Sequence, residues 1–193
     1  MTTAVTSATL NGKTMPTQHI DTAGDIQFDG AKVSLTTQVA TPGSTAPPAS
    51  EQIAIGKDYY VREGNLPDPS GRWSKGTTKQ DYPYLGVVEP AGLANAQGPV
   101  RVVGSKMIDG QRTTEYALTM AGATHALSAP GGRTATLKVR PFNLDIWLDM
   151  EGRIVATRAS VVASEGNEEL VRSTTSTHLS DFGEPLDIKA PAT

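Results

Sequence analysis

Between Asn143 and Gly183 the chain repeats itself every second residue, and that period limits what the whole can become. Leu144, Ile146 and Leu148 alternate with Asp145, Trp147 and Asp149, the pattern of a strand with two different faces. Met150-Glu151-Gly152-Arg153 reads as a tight turn, with glycine where a positive φ is required. Ile154 to Ala163 follows as a second strand rich in β-branched residues, and Ser164-Glu165-Gly166-Asn167 turns the chain again. Leu170 to His178, loaded with Thr and Ser, makes a third strand. Three long strands with short connections form an antiparallel meander. The pattern names a fold class and no chemistry.

The same grammar runs through the rest of the chain. Gly24 to Phe28 leads through Asp29-Gly30 into a return strand in which Val33, Leu35 and Val39 alternate with Ser34, Thr36 and Gln38. Glu51 to Arg62 is a hairpin carrying Ile53 and Ile55 on one arm and Tyr59-Tyr60-Val61 on the other. Gly71 to Lys75 reads as a short strand holding Trp73. Val100 to Met107 and Gln111 to Met120 flank Asp109-Gly110, with Val102 on one strand and Tyr116, Leu118 and Met120 on the other. Leu137 to Arg140 returns as extended chain, for nine or ten strands in all. Helix is expected in at most three places: within Tyr82 to Gln97, opening at Glu89-Pro90; around His125-Ala126-Leu127; and as a frayed helix or a strand near Ala4 to Leu10. Residues 1–20 are weakly patterned and expected to be partly flexible, and Thr41 to Ser50, with three prolines, reads as a surface loop. At 193 residues this is one domain, residues 1–193, of class α+β built on a curved antiparallel sheet.

Charge and composition exclude several functions. A net charge of −3 leaves no basic footprint for nucleic acid. No run approaches the roughly 18 apolar residues of a membrane helix, and Met1-Thr2-Thr3-Ala4-Val5 lacks the charged and apolar regions of a signal peptide. The absence of cysteine has two readings, chance or the removal of a leader together with a lipid-bearing cysteine. His19, His125 and His178 stand far apart without metal-type partners. Asp145 and Asp149 share the strand face of Trp147, with Glu151 in the turn, and read as a solvated strand edge rather than an acid–base pair. No serine sits in a nucleophile elbow, and no glycine run cradles phosphate. The chain reads as a non-enzyme with no cofactor and no metal.

Five segments, in order, resemble one family. Val100-Arg101-Val102-Val103-Gly104-Ser105-Lys106-Met107-Ile108-Asp109-Gly110-Gln111-Arg112-Thr113-Thr114-Glu115-Tyr116 is similar to the "v-G-x-x-x-v-d-G-x-x-t-x-x-Y" segment of the LppX/LprG-like actinobacterial envelope lipoproteins. Asp145-Ile146-Trp147-Leu148-Asp149-Met150-Glu151-Gly152-Arg153-Ile154 resembles their "v-x-W-l-D-x-x-G-r-l" hairpin. Ser180 to Pro191 matches the ending "s-d-f-G-x-p-v-x-i-x-x-P", Gly71 to Lys75 the strand "g-k-W-x-k", and Glu89-Pro90 the "d-P" before a helix. The resemblance covers residues 51–191. It implies a LolA-like half-barrel with a few short helices on the concave side, anchored outside the cell membrane through an N-terminal lipidated cysteine. It also implies a lipid or acyl ligand held between sheet and helices.

Two functional expectations follow. One is an extracytoplasmic lipoprotein domain with a lipid or other apolar ligand in a cavity between curved sheet and helices. The other is a regulatory or scaffolding lipoprotein that binds another envelope protein, such as a sensor kinase. For the first, the candidate lining is Val33, Leu35, Ile53, Ile55, Val102, Tyr116, Leu118, Ile146 and Leu148 from the strands, covered by Leu85, Val88 and Leu93. Trp147 lies across the alternation from Leu144, Ile146 and Leu148. It is expected to pack under a neighbouring loop, because it carries too much apolar area to stay in water.

Overall fold

The computed structural model describes residues 2–10, 13–14, 17–27, 32–40, 48–56, 58–65, 72–76, 93, 96–128, 134–166 and 168–192. They form fourteen strands. The first half holds β1 (Thr2–Leu10), β2 (Lys13–Thr14), β3 (Gln18–Gln27), β4 (Lys32–Ala40), β5 (Pro48–Ile55), β6 (Asp58–Asn65) and β7 (Ser74–Gly76). The second holds β8 (Ala96–Ile108), β9 (Gln111–Met120), β10 (Ala123–Ser128), β11 (Thr134–Val139), β12 (Phe142–Leu148), β13 (Ile154–Glu165) and β14 (Glu168–His178).

The strands make one open, curled antiparallel sheet in the order β7-β6-β5-β4-β3-β1-β14-β13-β12-β9-β8. β2 pairs with β1, and the β10–β11 hairpin attaches to the far end of β13. The predicted meander is present as β12, β13 and β14. Beside it lies β1, paired with β14 on one side and β3 on the other. A stretch that the sequence left between helix and strand therefore joins the N-terminal hairpins to the C-terminal meander. Its Thr-rich composition suits that central place, because β-branched side chains pack well on a pleated surface.

The α+β expectation is overturned. Among the described residues the architecture is sheet, and Leu93 is the single residue with helical backbone. The helix expected around His125-Ala126-Leu127 is strand β10, in register with Ala135 to Leu137 of β11. A segment this short cannot hold a helix against a facing strand. The helix expected after Glu89-Pro90 lies outside the described residues apart from Leu93. Pro48, placed in a loop by composition, starts β5, the strand position that dispenses most easily with an N–H donor.

The turns follow their sequence signals. Asp109 and Gly110, with φ of 47° and 75°, form the two-residue connection between Ile108 and Gln111. At the β12–β13 turn, Gly152 has φ of 80°, and the side chain of Asp149 organises the loop. Asp149 Oδ1 accepts from the backbone N–H of Glu151 and of Arg153, each at 2.9 Å, while Oδ2 accepts from Arg153 Nε at 2.7 Å. Burial pushes this carboxyl up, but the donated hydrogen bonds and the Arg153 charge outweigh it and hold Asp149 below the usual carboxylate range.

Candidate ligand-binding face

Pairing registers assign the residues of neighbouring strands to a common face. Val102 pairs with Tyr116, Tyr116 with Ile146, Ile146 with Thr157, and Thr157 with Thr177. The row continues through Thr2 to Thr22 and then Thr37. One line therefore runs from β8 to β4 on one face of the sheet, apolar at its β8 end and threonine from β13 onward. We call this side the leucine face, because Leu35, Leu118 and Leu144 belong to it.

Its apolar part is the core of the molecule. Leu118, Met120, Leu144 and Ile146 form a buried cluster, with Tyr116, Phe142, Leu148, Ile154, Ala159, Ala96 and Leu93 packed against it. Leu144 is only 3% exposed. Burying such side chains contributes about 1.5–3 kcal/mol each. At the outer end of the row the cover stops: Val102 is 68% exposed.

The hydroxyl part is buried too. Thr22, Thr37, Thr157 and Thr177 are all buried, and the Oγ1 atoms of Thr22 and Thr37 lie 3.1 Å apart in a hydrogen bond. Buried hydroxyls are tolerated only when partnered, and a threonine row supplies its own partners across the strands.

The register divides the twelve candidates. Tyr116, Leu118, Ile146 and Leu148 come together in or against the buried cluster, and Leu93 packs against it. Val102 is on the same face but exposed. Leu35 is buried on the leucine face at the far side of the threonine row, and Val33 stands in β4 opposite Ala54. Ile53 and Ile55 fall on the other face, because Leu35 pairs with Gln52 and so leaves the odd positions of β5 turned away. Leu85 and Val88 lie outside the described residues. Met120, Phe142, Leu144 and Ile154 join the cluster without being among the twelve candidates; the alternations Leu118–Met120 and Phe142–Leu144–Ile146 carried the signal for the first three.

We call the opposite side the tryptophan face. Trp147 is buried there, as its area demanded, and among the described residues it meets the β8–β9 hairpin. Lys106 Nζ sits 4.5 Å from the ring centroid, and Trp147 Nε1 donates to Glu115 Oε2 at 3.2 Å. Beyond it the β8–β9 tip bends over the end of the meander, with His178 Nε2 and Asp109 Oδ2 2.7 Å apart. Thr113, 1% exposed, donates to the Lys106 carbonyl at 2.9 Å within this fold-over. An open cavity of about 540 Å³ lies elsewhere, at the far end of β13, lined by Lys138, Arg140, Pro141, Ser164 and Gly166. No group of metal-binding side chains occurs among the described residues.

No family model and no curated protein matches the sequence. Solved structures do. The chain is similar to two structures from mycobacteria. LprF from Mycobacterium bovis shares 16% identity over 100% of this chain and 89% of that one, with a TM-score of 0.44. The Mycobacterium tuberculosis lipoprotein LppX shares 15% over 96% of this chain and 89% of that one, with a TM-score of 0.37. A DUF1329 family protein from Desulfovibrio piger shares 11% over 95% of this chain and 86% of that one, also at 0.37.

Proposed function

We propose that the chain is an extracytoplasmic lipoprotein domain that binds a lipid acyl chain or similar apolar ligand on the leucine face. One observation carries this reading: the row from Val102 through Tyr116 and Ile146 leaves the buried cluster at an uncovered apolar end and meets threonine hydroxyls at the other. A ligand with an apolar chain and a hydrogen-bonding head matches that order of surfaces. The motif resemblance supports the same ligand class and an anchor outside the membrane. The proposed role is binding.

The test is a fluorescent fatty-acid titration of the wild type and of Val102→Glu. The exposed position leaves stability within about 0.5 kcal/mol, while a carboxylate at the mouth of the row repels the acyl chain. Uptake by the wild type and its loss in the variant are expected. A wild type that takes up no probe, or a variant that takes it up equally well, would overturn the reading.

A second reading, a regulatory or scaffolding lipoprotein engaging another envelope protein, is favoured by a different observation. Strand β8 is exposed at every residue from Gln97 to Met107 and, among the described residues, ends the sheet.

A further inference from the structure

Strand β8 is the longest described strand at 13 residues, yet among the described residues it has a neighbour on one side only. Long open edges are an aggregation hazard, and proteins blunt them with prolines, bulges, charges or cover. The first half of β8 is blunted in this way, with Pro99 and two register shifts, between Gln97 and Arg101 and between Val102 and Gly104. From Gly104 to Ile108 the pairing with β9 is regular.

The turn fixes which backbone groups that regular half offers. A two-residue connection at Asp109-Gly110 makes Ile108 and Gln111 a hydrogen-bonded pair. Bonded and unbonded pairs then alternate along the ladder. Lys106 is bonded inward, consistent with its carbonyl accepting from Thr113. Ser105 and Met107 therefore turn their N–H and C=O groups to the open edge. The side chains around them are apolar or cationic: Val100, Val102, Val103 and Met107 are exposed large apolar groups. Arg101 and Lys106 are the only charged residues of the strand. Arg101, and Arg112 opposite Met107, make no ion pair among the described residues.

We infer that β8 is a docking edge for an extended segment of another protein that alternates apolar and acidic residues and adds to the sheet as a further strand. Main-chain hydrogen bonds from Ser105 and Met107 supply the docking, and the valines and the cations select the side chains. A second copy of β8 fits poorly, because it would lay two strands that carry only positive charge side by side. The inference rests on the partner-binding reading and names its surface; it shares Val102 with the ligand reading of the leucine face, but the outward groups of Ser105 and Met107 belong to the docking edge alone.

The test uses a labelled synthetic peptide of alternating valine and glutamate, with its valine–lysine counterpart as control, followed by fluorescence anisotropy. Ser105→Pro removes an outward N–H without breaking a bond to β9, and Arg101→Glu reverses one selecting charge while leaving the backbone alone. The glutamate peptide is expected to bind the wild type, the lysine peptide to bind far less, and each variant to lose up to about tenfold in affinity with an unchanged melt. Equal binding to wild type and both variants would move the partner site off β8 and overturn the inference while sparing the partner reading. No binding by the wild type would sink both. Self-association of the wild type that Ser105→Pro abolishes would replace the foreign segment with a second copy and so overturn the inference as stated.

Discussion

The two ends of the leucine face are held by different means. From β9 to β13 it is held by apolar burial, with Leu118, Met120, Leu144 and Ile146 in one cluster. From β13 across β14, β3 and β4 the row is threonine, buried to the same degree and held by hydroxyl contacts such as Thr22 to Thr37. The backbone ladder is alike in both. What differs is how the sheet tolerates loss: an apolar cluster suffers from any missing volume, whereas a hydroxyl pair suffers chiefly when one partner is left alone.

Substitutions sharpen this contrast, with the largest effect in the apolar half. Leu144→Ala should lower unfolding stability by about 2–5 kcal/mol, through lost transfer energy and a cavity. A urea titration measures it, and a change below about 0.5 kcal/mol, the size of a surface substitution, would mean the cluster is loosely packed. Thr37→Val should cost about 1–3 kcal/mol, because the Thr22 hydroxyl loses its partner while buried. The double variant Thr22→Val with Thr37→Val should recover most of that loss, since replacing both partners by isosteric apolar groups is nearly neutral. Additive losses in this cycle would show that the hydroxyls bond elsewhere and would erase the contrast.

Smaller effects test the hairpin that bounds the apolar half. The Asp149 carboxyl is depressed in the folded state, so its contribution is present above the ordinary carboxylate range near about pH 4 and is lost as pH falls through the lower folded value. Wild type and Asp149→Asn should therefore differ in melting temperature at neutral pH and converge in acid; a gap that widens in acid would contradict the sign. Smallest of all, Lys106→Ala should cost less than about 1 kcal/mol, the size of a partly exposed cation–π contact. The same change should raise iodide quenching of Trp147, with Trp73 replaced to isolate the signal. Unchanged quenching would mean that other groups provide the cover.

Local patterns were legible and long-range ones were not. The alternation of Leu144, Ile146 and Leu148 and the glycines at 110 and 152 predicted strands, faces and turns, because each is written within a few residues. The helix expected around His125-Ala126-Leu127 failed for the same reason: the run shows no alternation of its own, and only its pairing with β11 makes it strand. Ile53 and Ile55 were placed with Leu35 because each lies on the apolar side of its own alternation. Which side faces which neighbour depends on the register of β4 against β5, where Leu35 meets Gln52. The threonine row needs several registers in succession, joined through β1, so no single stretch announces it.

On the proposed reading, the apolar half of the leucine face, and not another surface, takes the ligand. Photo-crosslinking with a diazirine-bearing fatty acid, followed by peptide mapping, tests it directly. Labelling should concentrate on Val102 and on the peptides spanning Tyr116 to Met120 and Phe142 to Leu148. Labelling confined to Lys138, Arg140 and Pro141 around the open cavity, or to Ile53 and Ile55 on the opposite face, would contradict the account.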